Sequence, residues 1–137
     1  MRVIVRSTQF AKEHKAEIEK TADLVISIRN PGESVLFTPS NKVLTLWFDD
    51  CNPLGAFEYS LTAMSRAQAE EIVEKVNALS EDSLVFIHCS AGVCRSGGVG
   101  EFIHITRNVK NFYEDNPSIL PNEWVKELLL SVFLESK

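Results

Sequence analysis

The sequence predicts an α/β fold with a small, mostly parallel central sheet flanked by helices, and three observations predict it. Short apolar and β-branched runs alternate with segments whose apolar residues recur at three- and four-residue steps. Strands separated by helices pair in parallel through right-handed crossovers. One apolar run also breaks into a glycine-containing loop that restarts as a helix, and in such sheets ligands gather at the carboxyl ends of the strands.

Val3-Ile4-Val5 reads as the first strand, and Ser7 or Thr8 caps a helix running through Phe10, His14 and Ile18. Residues 23–28 form a buried strand that ends at Asn30-Pro31-Gly32, a turn signal because proline fixes one dihedral and glycine accepts positive φ. A surface loop follows, with a brief strand at Val35-Leu36-Phe37. Residues 43–48, VLTLWF, are β-branched and aromatic enough for a central strand, which runs directly into Asp49-Asp50-Cys51-Asn52-Pro53.

From Ser65 the period becomes helical through Ala69, Ile72, Val73, Val76 and Leu79, with Ser65 and Gln68 forming a capping box. Residues 84–87 are the next strand. A helix from about Ser96 carries Val99, Phe102, Ile103 and Val109, and Gly97, Gly98 and Gly100 leave its first turns bare enough for a neighbouring element to come close. Asn116-Pro117 and Pro121-Asn122 punctuate the chain before a last amphipathic helix with Trp124, Val125, Leu128, Leu129 and Val132. The histidines His14 and His104 fall in helical patterns and carry no functional claim.

With 137 residues, 45% of them hydrophobic and 24% charged, residues 1–137 fit one globular domain with a sizeable core. A net charge of -5 without any Lys/Arg block argues against a nucleic-acid or anionic-membrane partner. No apolar stretch approaches the roughly 18 residues of a membrane span, and the first six residues are too short and interrupted for a signal sequence. A cytoplasmic location is the expectation. Three cysteines are too few, and odd in number, for a secreted disulfide framework, so free thiols are expected.

The chemistry points to residues 85–97, VFIHCSAGVCRSG. A strand feeding a loop that opens a helix offers free backbone N–H groups at the positive end of the helix dipole, which suits an oxyanion. Cys89 starts this loop and Arg95 closes it, placing a potential thiolate nucleophile at the floor of an anion cradle and a two-pronged cation at its rim. The Asp49/Asp50 pair also falls at a strand's carboxyl end and can share the crevice.

His88-Cys89-Ser90-Ala91-Gly92-Val93-Cys94-Arg95-Ser96-Gly97 resembles the H-C-x-x-G-x-x-R-[ST]-G motif of the cysteine-dependent protein tyrosine and dual-specificity phosphatases. The resemblance extends more loosely from about Ala22 to the last helix, and the length is similar to that of the compact microbial and phage members. It implies that Cys89 attacks phosphorus and forms a phosphocysteine. The backbone of Ser90, Ala91, Gly92, Val93 and Cys94, together with Arg95, would then hold the phosphate oxygens. Ser96 would hydrogen-bond the sulfur and His88 would orient the loop. No metal or cofactor is implied.

The family's general acid is an aspartate on a separate loop, and two comparisons compete for it. Phe48-Asp49-Asp50-Cys51-Asn52-Pro53 resembles the F-x-D-x-N-P segment of phosphoinositide phosphatases and the F-H-D of small bacterial relatives, which nominates Asp50. Trp47-Phe48-Asp49 followed by Pro53 resembles the W-P-D loop of larger tyrosine phosphatases, which nominates Asp49. The small size favours Asp50. Cys94 departs from the glycine or serine more usual in this loop; packing is its expected role, with a reversible disulfide from Cys94 or Cys51 to Cys89 as the redox alternative. Zinc ligation by His88, Cys89, Cys94 and Cys51 is disfavoured because no paired C-x-x-C exists.

The variable loop positions carry no lysine, which serves a phosphoprotein monoester, phosphotyrosine first, better than a highly phosphorylated inositol lipid or an RNA 5′ end. The competing readings are a phosphate-binding adaptor without turnover, a phosphatase for a non-protein ester, and another C-x5-R enzyme such as a rhodanese-like sulfurtransferase or arsenate reductase. The histidine before Cys89 and the Ser96-Gly97 pair fit the last class poorly.

Overall fold

The structure is a computed structural model and describes residues 1–136. Four parallel strands, β1 (Arg2–Ser7), β2 (Leu24–Arg29), β3 (Val43–Trp47) and β4 (Leu84–Cys89), form one sheet in the order β1-β4-β2-β3. The register sets Ser7 opposite Cys89, Ser27 opposite His88 and Arg29 opposite Trp47, so the carboxyl ends of the strands lie along one edge. The helices are α1 (Thr8–Glu13), α2 (Lys15–Thr21), α3 (Pro53–Tyr59), α4 (Arg66–Asn77), α5 (Arg95–Arg107), α6 (Phe112–Asp115) and α7 (Glu123–Glu135).

Strand alternation sorts the core into two layers. Val85, Ile87 and Cys89 of β4 join Val3, Val5, Ile26 and Ile28 beneath α4, α5 and α7, which contribute Ile72, Phe102 and Leu129. Phe86 of β4 and Val25 of β2 face the other way, against Ala11, Ile18 and Phe37. Residues 88 and 89, although adjacent, therefore serve opposite faces.

The edge strand β1 would expose unpaired backbone groups, and Asn116 covers them. Its Oδ1 accepts from Val5 N–H at 2.7 Å, and its Nδ2 donates to the carbonyls of Val3 and Phe112 at 2.8 Å each.

The structure departs from several expectations. The first helix is two: at His14 the backbone leaves helical geometry (φ -117°, ψ 20°), although His14 N–H still reaches Phe10 O and Ile18 N–H reaches His14 O. No strand forms at residues 35–37. Phe37 is instead a core plug against the Phe86 and His88 rings, and Thr38 N–H donates to the Glu19 carboxylate rather than to a ladder. The strand at residues 43–47 lies at the edge, with Leu44 and Leu46 buried while Trp47 is turned out and its Nε1 donates to Glu33 O. Val109 lies beyond α5, and α3 and α6 fall where the sequence pattern gave no helix. The Ser65–Gln68 capping box is present with both of its bonds.

Candidate active site

Cys89 ends β4 and is buried, so residues 90–94 must turn over the sheet edge before α5 begins. Gly92 makes that turn possible. It sits at φ +72°, and a Cβ there would lie 2.3 Å from the Arg6 carbonyl carbon and 2.4 Å from Ser7 N. The loop thus rests directly on the end of β1, where no side chain fits.

The loop's carbonyls are tied outward. Ser90 O accepts from Thr8 N–H (3.3 Å), Val93 O from Leu120 N–H (3.1 Å), and Cys94 O from both Gly98 N–H and Asn122 N–H (2.8 Å each). Among the described residues, none of the backbone N–H groups from Ser90 to Arg95 makes a hydrogen bond. Cys94 supplies no side-chain cap to α5, so the helix dipole adds to this set of unsatisfied donors.

Arg95 is buried and held at both terminal nitrogens: Nη1 donates to Asn30 Oδ1 and to Phe48 O, each at 2.8 Å, and Nη2 donates to Ser90 Oγ at 3.2 Å. Among the described residues Nε has no partner, so one edge of the guanidinium fork stays available to an anion. Ser96, fully buried, places Oγ 3.0 Å from Cys89 Sγ.

Through its ring, His88 hydrogen-bonds Ser27 and Thr8 rather than residues 90–94 of the loop. Its side chain points to the small face, with Nε2 2.6 Å from Ser27 Oγ and Nδ1 3.1 Å from Thr8 Oγ1, and it pins β4 to β2 and to the start of α1. The opposite-face alternation of a strand is the reason. Burial, and next the positive fields of Arg29 and Arg95, lower its pKa from 6.5 to about 4, so the ring is neutral.

The two aspartates part ways. Asp49 N–H donates to Thr62 O at 2.6 Å, and Asp49 Oδ2 accepts from Thr62 N–H at 2.8 Å, closing a neck between residues 49 and 62. Asp50 is exposed, and its Oδ1 accepts from Asn122 Nδ2 at 2.8 Å. Asn122 also caps α7, with Oδ1 accepting from Val125 N–H, and its own N–H holds Cys94 O. Asp50 and the end of the loop are therefore fastened to one residue.

Cys94 and Cys51 are both half-buried, and the three cysteines are free thiols. Burial and then the negative charge of Asp50 push the Cys94 pKa up. Burial and then Asp49 and Asp50 do the same for Cys51. Among the described residues no cluster of three or more His, Cys, Asp or Glu side chains is placed to hold a metal ion.

Three partners in this site were not singled out by the sequence as site residues: Asn30, Asn122 and Thr62. Asn30 and Asn122 read as turn punctuation. Asn30 follows a predicted strand at its carboxyl end, which is the positional signal that could have marked it.

No family model matches the chain, and no curated protein sequence matches it. Solved structures do. Tk-PTP in its active form aligns at a TM-score of 0.61 and 20% identity over 98% of this chain and 92% of that one. The human tyrosine phosphatase-like serine/threonine/tyrosine-interacting protein aligns at 0.58 and 18% identity over 98% and 92%. PTPMT1 in complex with PI(5)P aligns at 0.54 and 16% identity over 99% and 95%. The chain has the fold these tyrosine and dual-specificity phosphatase structures share, which is the fold its loop motif implies.

Proposed function

We propose that the protein hydrolyses phosphate monoesters on proteins, phosphotyrosine first, through a phosphocysteine intermediate. The observation that carries this reading is the Cys89 thiol at the foot of a loop whose six N–H groups are unbonded among the described residues, beside an arginine whose two terminal nitrogens are anchored and whose Nε is left to an anion. A thiolate there attacks phosphorus in line, and the S–P bond forms as the P–O ester bond breaks. The Asp50 carboxylic acid gives its proton to the departing oxygen. Water then attacks phosphorus, Asp50 takes a proton from it, and Cys89 leaves as a thiolate that accepts a hydrogen bond from Ser96 Oγ. The loop N–H groups and Arg95 hold the equatorial oxygens through both steps.

Asp50 is the acid in this scheme because Asp49 spends its carboxylate on the neck to Thr62, whereas Asp50 is exposed and held beside the loop by Asn122. His88 is a structural pin in this reading rather than an orienter of the loop. The reading takes residues 1–137 as one catalytic domain that needs no metal or cofactor and works in a reducing cytoplasm. No helix among the described residues is long and apolar enough to cross a membrane.

Aryl phosphate turnover that survives chelator, stops with vanadate and vanishes in Cys89→Ser supports the proposal; turnover retained in Cys89→Ser sinks it. With a poor leaving group, Asp50→Asn is expected to lose about a hundredfold in kcat and the basic limb of the pH profile. Loss of that limb in Asp49→Asn alone reverses the assignment.

A second reading, a phosphopeptide-binding adaptor without turnover, draws on the alignment with a protein whose description is phosphatase-like. Phosphopeptide binding by purified protein without release of phosphate would establish it. The PI(5)P in one aligned structure raises a lipid ester as substrate. The absence of lysine from residues 90–94 favours a protein ester instead.

A further inference from the structure

Residues 50–61 leave the body of the protein as an excursion whose two ends are tied together by the paired Asp49–Thr62 bonds. The excursion carries α3, held by an Asn52 cap on Gly55 N–H and by Leu61 N–H donating to Ala56 O. No residue of α3 is buried. Leu54 is 65% exposed, Phe57 87% and Tyr59 71%. Single exposed apolar residues need no explanation, but three on a seven-residue helix that buries nothing do. A helix of two turns gains nothing in stability from side chains left in water.

Helical spacing places Leu54, Phe57 and Glu58 on one face, three and four residues apart, opposite the half-buried Gly55 and Ala56. The charge of the region is one-sided. Residues 43–65 contain no Lys or Arg but include Asp49, Asp50 and Glu58. An anionic bilayer or nucleic acid is repelled by such a surface, and a second copy would set the same carboxylates against one another. A polypeptide carrying apolar and basic side chains matches it in both respects.

We infer that α3 is the docking surface for the polypeptide that flanks the phosphorylated residue, with Leu54 and Phe57 receiving an apolar side chain and Glu58 pairing with a Lys or Arg beside it. This rests on the phosphatase reading, because the surface hangs from the segment that carries Asp50. It makes the substrate a protein, with selectivity supplied outside the phosphate loop.

The test compares wild type with Leu54→Ser/Phe57→Ser and with Glu58→Gln, all at exposed positions, using an aryl phosphate and phosphotyrosine peptides with apolar–basic, apolar–acidic or Gly/Ser flanks. The aryl phosphate kcat/KM is expected to stay within about twofold in every variant. On the apolar–basic peptide the double variant is expected to lose about tenfold and Glu58→Gln about threefold, the latter loss being absent on the acidic-flank peptide. Unchanged peptide kinetics alongside intact aryl phosphate turnover overturn the docking surface and leave the phosphatase reading standing. If wild type turns over no aryl phosphate, that reading falls, and the same variants' peptide affinities by fluorescence polarisation still decide whether α3 docks polypeptide. Unchanged peptide kinetics or affinities, with loss of a dimer in sedimentation or of binding to phosphatidylcholine vesicles, would assign the surface to a second copy or a bilayer and refute the inference.

Discussion

The buried pin at His88 makes the protein's stability sensitive to mild acid in a way that can be isolated. The ring is fully buried between the hydroxyls of Thr8 and Ser27, with the Phe37 and Phe86 rings beside it at 5.7 and 6.3 Å. A neutral imidazole needs one donor and one acceptor, and two hydroxyls supply either arrangement. An imidazolium would keep both bonds but would bring a charge into an apolar layer that also feels Arg29 and Arg95, so the native pKa falls from 6.5 to about 4, with burial as the main cause. The unfolded chain takes up this proton near pH 6.5 and the native state only near pH 4. Between those values the unfolded state holds more protons, and stability falls as the pH falls.

The gap between 6.5 and about 4 corresponds to about 3 kcal/mol, fully present above the upper value and lost by the lower. Urea unfolding of wild type and His88→Asn at about pH 7 and about pH 4 measures it. Carboxylates titrate in both proteins, so the difference between the two pH effects isolates His88. Wild type is expected to lose about 3 kcal/mol more than the variant over this interval. Equal losses would refute the reasoning, as would an imidazole resonance of native His88 that titrates near 6.5, a readout that does not depend on the variant folding.

Other perturbations probe the loop and its supports. Gly92→Ala combines positive φ with a Cβ 2.3 Å from the Arg6 carbonyl carbon, and should cost on the order of 3 kcal/mol in thermal or urea unfolding. Asn122→Ala removes the α7 cap and the bond to Asp50 together, so about 1 kcal/mol of stability should go along with turnover of poor leaving groups. Asn122→Asp keeps a capping oxygen while repelling Asp50, and should recover stability without recovering turnover; recovery of both would show that Asn122 acts only on the fold. Asp50→Asn removes a carboxylate that holds the Cys94 thiol protonated, so iodoacetamide should label Cys94 faster in the variant at mildly alkaline pH. An unchanged rate would dismiss that influence.

The parts of this molecule legible in its sequence are those governed by local pattern. The Ser65–Gln68 box, the apolar stripe of α4 and the loop between β4 and α5 each follow from residue type and spacing over a few positions. The close approaches over the first turns of α5 were legible too: a Cβ at Gly98 would lie 2.9 Å from Asn122 O, and one at Gly100 2.8 Å from Val5 Cγ2. Strand order was not legible, because residues 43–47 are apolar enough for a central position and only tertiary pairing leaves β3 at the edge. The reach of His88 was hidden for a related reason. Its neighbour Cys89 belongs to the loop's chemistry, but the alternation of a strand sends His88 through the sheet to Ser27 and Thr8.

Asp49 and Asp50 show where residue type stops being informative. They are the same residue at adjacent positions, and each fits a different family pattern. Their environments separate them: Asp49 meets Thr62, thirteen residues on, at both its backbone and its carboxylate, whereas Asp50 meets Asn122, seventy-two residues on, at its carboxylate alone. A carboxylate with a backbone N–H on one oxygen at a loop neck is committed to shape. One that is exposed, held by a single side-chain amide and tied through that amide's residue to Cys94 O is positioned without being consumed. The same neck joins the two ends of the excursion that carries α3, so the contact on which we propose Asp50 rather than Asp49 as the acid also bounds the segment that exposes Leu54 and Phe57. Both proposals, Asp50 as the acid and α3 as the docking surface, therefore predict that weakening this pair of hydrogen bonds should disturb peptide turnover more than turnover of a small aryl phosphate.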